Sequence, residues 1–276
     1  MRRPARATAA ARRLTGTHKG CPYGAWEIVV GAGLVPVLWF SCGSMAALPN
    51  PPRLGERDVR MSEPRVAPYV WVTWISRLLA GDAHCAWAAW FRAHHTYERL
   101  PSDFDAARWT SEHTAMVRGQ AEALRQASYA VSVEDQNAFR LQGQLGVTLG
   151  GKPDIVAWRD GEVRVVECKT GQPRHSDTIQ VMIYMLVLPH AQPVWRGRTL
   201  SGRVHYHSGP VDIPPEALDS GFRTRFREIM AQVGGAAALA RVPSFSECRF
   251  CDIGRLDCPE RIETRPDDGA DGHDLF

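Results

Sequence analysis

Gly151-Lys152-Pro153-Asp154, then twelve residues, then Glu167-Cys168-Lys169: this stretch decides the fold. Inside the gap, the apolar runs Ile155–Trp158 and Val163–Cys168 flank Asp160-Gly161. An Asp-Gly pair between apolar runs supplies the two positive-φ residues of a tight hairpin turn. The hairpin brings the start of its first strand beside the end of its second, so Asp154 and Glu167 converge at one edge of a sheet. Side chains alternate along a strand, so Glu167 and Lys169 share a face and Cys168 points the other way.

Two carboxylates and an ammonium are what metal-assisted phosphodiester hydrolysis requires. Hard oxygen ligands suit Mg²⁺ or Mn²⁺. The ion polarises the phosphate and lowers the pKa of a bound water, and a lysine positions that water or offsets charge. The bland reading is that Pro-Asp and Glu-x-Lys are common, and that a Glu/Lys pair on a strand is usually a surface ion pair. Two features favour the chemical reading. Gln180 and Tyr184 stand four residues apart in a helical run from Ser176 to Leu188 that Pro189 closes, so they share a face turned towards Lys169. His113 lies beside the apolar stripe of an earlier helix, 109–127, where a third metal ligand belongs. Taken alone, a satisfied or exposed histidine explains His113 as well, and His175 reads as a loop residue.

Outward from this centre, strands are expected at Tyr129–Val133, Ala138–Leu141, Leu145–Leu149 and Arg203–His207, and a helix over 215–233. Tyr69–Ala93 reads as a helix broken at Gly81-Asp82, with Thr73 or Asp82 as caps; Thr110 or Ser111 caps 109–127. The order of elements predicts an α/β fold, a mixed sheet flanked by helices. Trp74, Trp87 and Trp90 sit at helical spacing and read as core. Arg223, Arg225 and Arg227, like Arg203, His205 and His207, fit a DNA groove or a solvated face equally well.

The seven cysteines are 21, 42, 85, 168, 248, 251 and 258. An odd number with tight local clustering does not resemble a disulfide framework and points to metal binding in a reducing compartment. Cys248-Arg249-Phe250-Cys251 and Cys258-Pro259 form a compact knot whose thiolates can wrap one metal centre. Tetrahedral zinc or a cubane cluster takes four such ligands, and three are local. Cys168, turned towards the core, reads as a small buried apolar residue. Zinc, iron–sulfur and no metal stay open on spacing alone.

Together, Pro153-Asp154, Glu167-Cys168-Lys169 and Gln180-x-x-x-Tyr184, with His113 ahead of them, resemble the motifs of the PD-(D/E)XK nucleases, and of their RecB-like branch in particular. The resemblance spans about residues 113 to 184. It implies a restriction-endonuclease-like mixed sheet, with metal binding by His113, Asp154, Glu167 and the backbone carbonyl of Cys168. It implies a catalytic Lys169, with Gln180 and Tyr184 contacting DNA or supporting the site. Some RecB-like nucleases, among them those of CRISPR adaptation and the AddB type, carry a 4Fe–4S cluster held by one cysteine before the nuclease core and three after it. Thr73-Trp74-Ile75-Ser76 through Cys85 is similar to their leading segment. The resemblance therefore implies Cys85, Cys248, Cys251 and Cys258 as cluster ligands joining the chain ends, with zinc as the alternative.

The expected activity is a Mg²⁺- or Mn²⁺-dependent deoxyribonuclease of DNA repair, recombination or defence. It acts on DNA ends or single strands, as an exonuclease rather than an endonuclease. One alternative is a non-cleaving nucleic-acid-binding module or partner-dependent subunit; another is a structural zinc protein. The sequence has no phosphate-binding Gly-x-x-x-x-Gly-Lys-Ser/Thr loop, so any unwinding falls to a helicase partner.

The bulk numbers leave room for this. A chain of 276 residues that is 44% hydrophobic buries a real core in one domain or at most two. A net charge of +3 suits a nucleic-acid binder and an ordinary soluble protein alike. Residues 1–60 lack a helical or strand period. Their apolar run Ile28–Phe40 is too short for a comfortable membrane span and is interrupted by Pro36. They read as a disordered or non-native leader, with the working protein starting near Met61; a mature end near residue 48 would instead mean secretion. The expected organisation is a nuclease domain over 61–262, with its core at about 109–208 and the iron–sulfur segment at 245–262. An acidic flexible tail follows over 263–276, and the protein is expected in the cytoplasm, off the membrane.

Overall fold

The hairpin read from Asp160-Gly161 forms. Ile155–Arg159 pairs antiparallel with Glu162–Lys169, and Asp160 and Gly161 take φ of 49° and 87°. The computed structural model describes residues 62–265 apart from 103, 144 and 145. The expected leader, the start at Met61, Cys21, Cys42 and the tail from Pro266 onward lie outside the described residues, as do Asp103 and Leu145.

In chain order the elements are β1 (Glu63–Pro64), β2 (Tyr69–Trp71), α1 (Val72–Ala80), α2 (Ala86–His94), β3 (His95–Thr96), α3 (Ala106–Gln126) and β4 (Ala130–Val133). After them come β5 (Phe139–Gln142), β6 (Thr148–Gly151), β7 (Ile155–Arg159), β8 (Glu162–Lys169) and α4 (His175–Ala191). The chain continues through β9 (Leu200–Tyr206), β10 (Gly209–Ile213), α5 (Ser220–Gly234) and α6 (Phe245–Cys248).

The fold is mixed α/β with helices flanking sheets, but among the described residues the strands divide among three sheets instead of one. The main sheet runs β10-β9-β8-β7-β4, a second runs β2-β6-β5, and β1 pairs with β3. β8 and β9 are parallel, joined by α4 as parallel neighbours require. Alternation along the central strands serves two layers. Val156, Val163, Val165 and Val204 pack with α4. Ile155, Ala157, Val166 and Cys168 pack with Val117, Ala121 and Leu124 of α3. A strand covered on both faces reads as a nearly continuous apolar run, as β8 does. The sheet meets α4 closely at Gly202, where a Cβ would lie 2.5 Å from Val181 Cγ1 and 2.7 Å from Met185 Sδ.

Several expected boundaries move. Tyr69–Trp71 is a strand, not the start of a helix, because it pairs parallel with β6. Thr73 therefore lies inside α1. Asp82 caps α4 instead of α2: its Oδ2 accepts the Ser176 N–H at 3.2 Å. Helix α3 starts at Ala106, where Asp105 accepts the Arg108 N–H at 3.0 Å; Thr110 and Ser111 lie within the helix. Pro189 removes one N–H but does not stop α4, which runs on to Ala191. The strand expected at 145–149 forms at Thr148–Gly151. Pro215–Ala217 makes only a 3-10 turn, and α5 begins beyond it, capped by Asp219. β10 follows from no strand signal in the sequence; its Pro210 is tolerated on an edge strand.

Candidate active site

Pairing of β7 with β8 ends at Ile155 opposite Val166. The next pair in register is Asp154 and Glu167, and there the strands part. The Asp154 carboxylate fills the opening: its Oδ2 accepts the Cys168 backbone N–H at 2.8 Å. The backbone ahead of it is held by Asn137, whose Nδ2 donates to the Pro153 carbonyl at 3.1 Å, and by the Glu134 N–H, which donates to the Asp154 carbonyl at 2.8 Å. From α3, His113 Nε2 reaches to 3.2 Å from Asp154 Oδ2.

Glu167 faces α4. Its Oε1 accepts from Lys169 Nζ at 3.0 Å and from Gln180 Nε2 at 2.7 Å. Lys169 also donates to Gln180 Oε1 at 3.0 Å, and Gln180 Nε2 donates to the Tyr184 hydroxyl at 3.1 Å. Both side chains are buried; Gln180 binds the carboxylate and the lysine, and Tyr184 binds Gln180. Lys169 lies 3.9 Å from Asp177 Oδ1, and Tyr206 donates its hydroxyl to Asp177 Oδ2 at 3.0 Å. The structure thus brings together His113, Asp154, Glu167, Lys169, Gln180 and Tyr184. His175 is merely the first residue of α4.

Asp154 and Glu167 are only 6% and 4% exposed, which makes their charges costly. Burial pushes the Glu167 carboxyl up to about 7, with Asp154 adding to the push and Lys169 opposing it. The hydrogen bond to Asp154 raises the His113 imidazole despite partial burial. Burial alone would lower Lys169, but Glu167, Asp177 and Asp154 outweigh it and keep the ammonium charged. Burial lifts the Tyr184 phenol well above its ordinary range, so it acts as a neutral group.

Glu167 Oε2 is buried with no hydrogen-bond partner. A bare carboxylate oxygen beside a second buried carboxylate and an imidazole is a donor set that fits a hard divalent ion. Among the described residues, no set of three or more His, Cys, Asp or Glu side chains is arranged to hold a metal ion as it stands.

The family model described as PD-(D/E)XK nuclease superfamily matches residues 75–256. The chain belongs to the PD-(D/E)XK nuclease superfamily. The match takes in every residue of the site above. The crystal structure of SSO0001 is similar over 72% of this chain and 90% of its own, at 14% identity and a TM-score of 0.38, too distant a likeness to carry an argument. No curated protein matches the chain significantly.

In this PD-(D/E)XK chain Asn137, Asp177, Tyr206 and Trp109 also belong to the surroundings of the site. Asp177 was not among the expected site residues, although its place one helical turn before Gln180 could have pointed to it. Nothing in the sequence says that Asn137 spans to Pro153.

The cysteine segment packs on α2. Cys85, Cys248, Cys251 and Cys258 line one cavity of about 80 Å³, while Cys168 lies in the core under α3. Burial raises the Cys258 thiol, and the other three cysteines add to that shift, whereas Arg241 opposes it. Protein contacts hold the segment in place. Glu247 accepts the backbone N–H groups of His84 and Cys85 at 2.9 and 3.2 Å. Arg92 forks onto Asp252 Oδ1 at 2.9 and 2.8 Å, and Tyr97 donates to Asp252 Oδ2 at 3.0 Å. Trp87 is core beneath the Arg241 guanidinium, 4.3 Å from its ring centroid. Arg223, Arg225 and Arg227 are exposed on α5, where Arg223 and Arg227 donate to backbone carbonyls of Leu218 and Arg223.

Proposed function

We propose that the protein is a RecB-like deoxyribonuclease that hydrolyses DNA at ends or on single strands with Mg²⁺ or Mn²⁺. The observation that carries this reading is the partnerless, buried Glu167 Oε2 beside Asp154, with Lys169 charged next to it. Asp154 and Glu167, with His113 and the Cys168 carbonyl, would hold the ion. When bound, the ion polarises the phosphate and acidifies a water. Lys169 Nζ orients that water and offsets charge on the phosphate oxygens. Gln180 and Asp177 keep the ammonium aimed, and Tyr184 fixes Gln180. DNA is the partner, and a helicase supplies unwinding where the substrate is duplex.

The reading extends to a 4Fe–4S cluster on Cys85, Cys248, Cys251 and Cys258, supported by their common cavity and soft thiolate chemistry. Zinc is the second reading of the same four thiols, and colour separates them: anaerobically purified protein is brown with the cluster and colourless with zinc.

The test of substrate and mode is digestion of end-labelled single-stranded, blunt and circular DNA with either metal. The reading expects a ladder growing from one end of linear strands. Cutting of closed circles would make the enzyme an endonuclease, and no cutting of any DNA would refute the activity.

A further inference from the structure

The first turns of α3 carry an aromatic surface that the site above does not use. The Trp109 indole stacks on the His113 imidazole, with centroids 4.9 Å apart and planes 21° from parallel. Phe104 leans against Trp109 at 6.1 Å and 55°. Trp109 is 42% exposed and Phe104 61%. Single apolar residues at a surface need no explanation. These two differ because they are continuous with the carboxylates: one stack leads from indole to imidazole, and one 3.2 Å contact leads from imidazole to Asp154. The neighbouring cation, Arg108, is already paired with Glu112 at 2.8 Å. The patch therefore suits a ring rather than a phosphate.

We infer that Trp109, with Phe104, is a stacking platform for an unpaired nucleobase next to the scissile phosphate. The inference rests on the nuclease reading and adds what selects the substrate. A base in a single strand has a free π face, and stacking on an exposed indole is worth about tenfold in affinity. A base inside a duplex has both faces covered, so duplex gains nothing until its end frays. The platform thus favours single strands and frayed ends by the shape of its ligand.

The experiment is a cycle between protein and DNA. Oligothymidylate and the same strand with one abasic site walked along it are titrated against wild type, Trp109→Ala, Trp109→Phe and Phe104→Ala, with Ca²⁺ replacing Mg²⁺. In wild type one abasic position weakens binding about tenfold. Trp109→Ala shows the same loss on the intact strand and no further loss at that abasic position, Phe104→Ala is intermediate, and Trp109→Phe recovers most of the affinity. An altered His113 alone would not abolish the response to the missing base. Equal responses to the abasic site in wild type and Trp109→Ala overturn the platform, while cleavage by the wild type keeps the nuclease. Wild type that neither binds nor cleaves DNA overturns the nuclease reading and the platform with it.

Discussion

Asp154 Oδ2 holds the Cys168 N–H at 2.8 Å, at the point where β7 stops pairing with β8. A side chain replaces a ladder bond, and this fixes both the parting of the strands and the approach of Asp154 to Glu167. Asp154→Asn keeps an oxygen for that N–H and removes the charge. It is expected to leave folding within about 1 kcal/mol of wild type while abolishing metal-dependent cleavage. Asp154→Ala orphans a buried N–H and is expected to lose about 2 kcal/mol as well. Urea melts beside cleavage assays separate the two effects; equal stabilities would show that the bond is not structural.

Glu167 gives the protein a pH-dependent stability in the absence of metal. Burial raises its folded pKa from 4.5 to about 7. The folded state therefore binds a proton more tightly than the unfolded chain. This contribution is full below about 4.5 and is lost as pH rises through about 7. A divalent ion compensates the ionised carboxylates, so Mn²⁺ should raise the melting temperature more at about pH 8 than at about pH 5.5. Glu167→Gln should flatten the metal-free profile. A metal-induced gain that is the same at both pH values contradicts the assignment.

Asp177 acts on Lys169 through charge, and Tyr206 holds Asp177. Losing that carboxylate lowers the Lys169 pKa, because Asp177 is one of the groups that raise it. Asp177→Asn should slow cleavage about tenfold and move the alkaline limb of the rate profile to lower pH. Asp177→Glu should recover part of the rate, and Tyr206→Phe should show a smaller loss in kcat. An unmoved alkaline limb would make Asp177 a plain helix cap for Arg174.

Among the four clustered thiols, Cys248→Ser or Cys258→Ser should remove the visible colour of anaerobically purified protein and make the segment after α5 sensitive to proteolysis. Residual attachment is expected, because Glu247 and Asp252 still bind His84, Cys85, Arg92 and Tyr97. Cys168→Ser should keep the colour. Loss of colour in Cys168→Ser, or colourless wild type holding zinc, would contradict the iron–sulfur reading.

The centre of the fold was legible because its signals are local. Asp160-Gly161 dictates a two-residue turn, the turn fixes the register, and the register brings Asp154 opposite Glu167. The i, i+4 spacing of Gln180 and Tyr184 placed them likewise. What escaped depends on contacts distant in sequence. Tyr69–Trp71 is a strand only because β6 lies beside it, and a three-residue stretch carries no period to reveal that. Asp82 has the chemistry of a cap, but only the tertiary fold decides that it caps α4 rather than α2. Trp109 carries no signal of its own in the sequence, since its exposure follows from how α3 lies on the sheet.

The most direct test of the central claim is cleavage of end-labelled DNA with Mn²⁺ by wild type beside Lys169→Ala, both anaerobically purified and equally folded. The account predicts metal-dependent cleavage by wild type and a loss of at least about 100-fold in the variant, with Mn²⁺ binding retained. Cleavage at the wild-type rate by Lys169→Ala, or none by folded wild type, would contradict it.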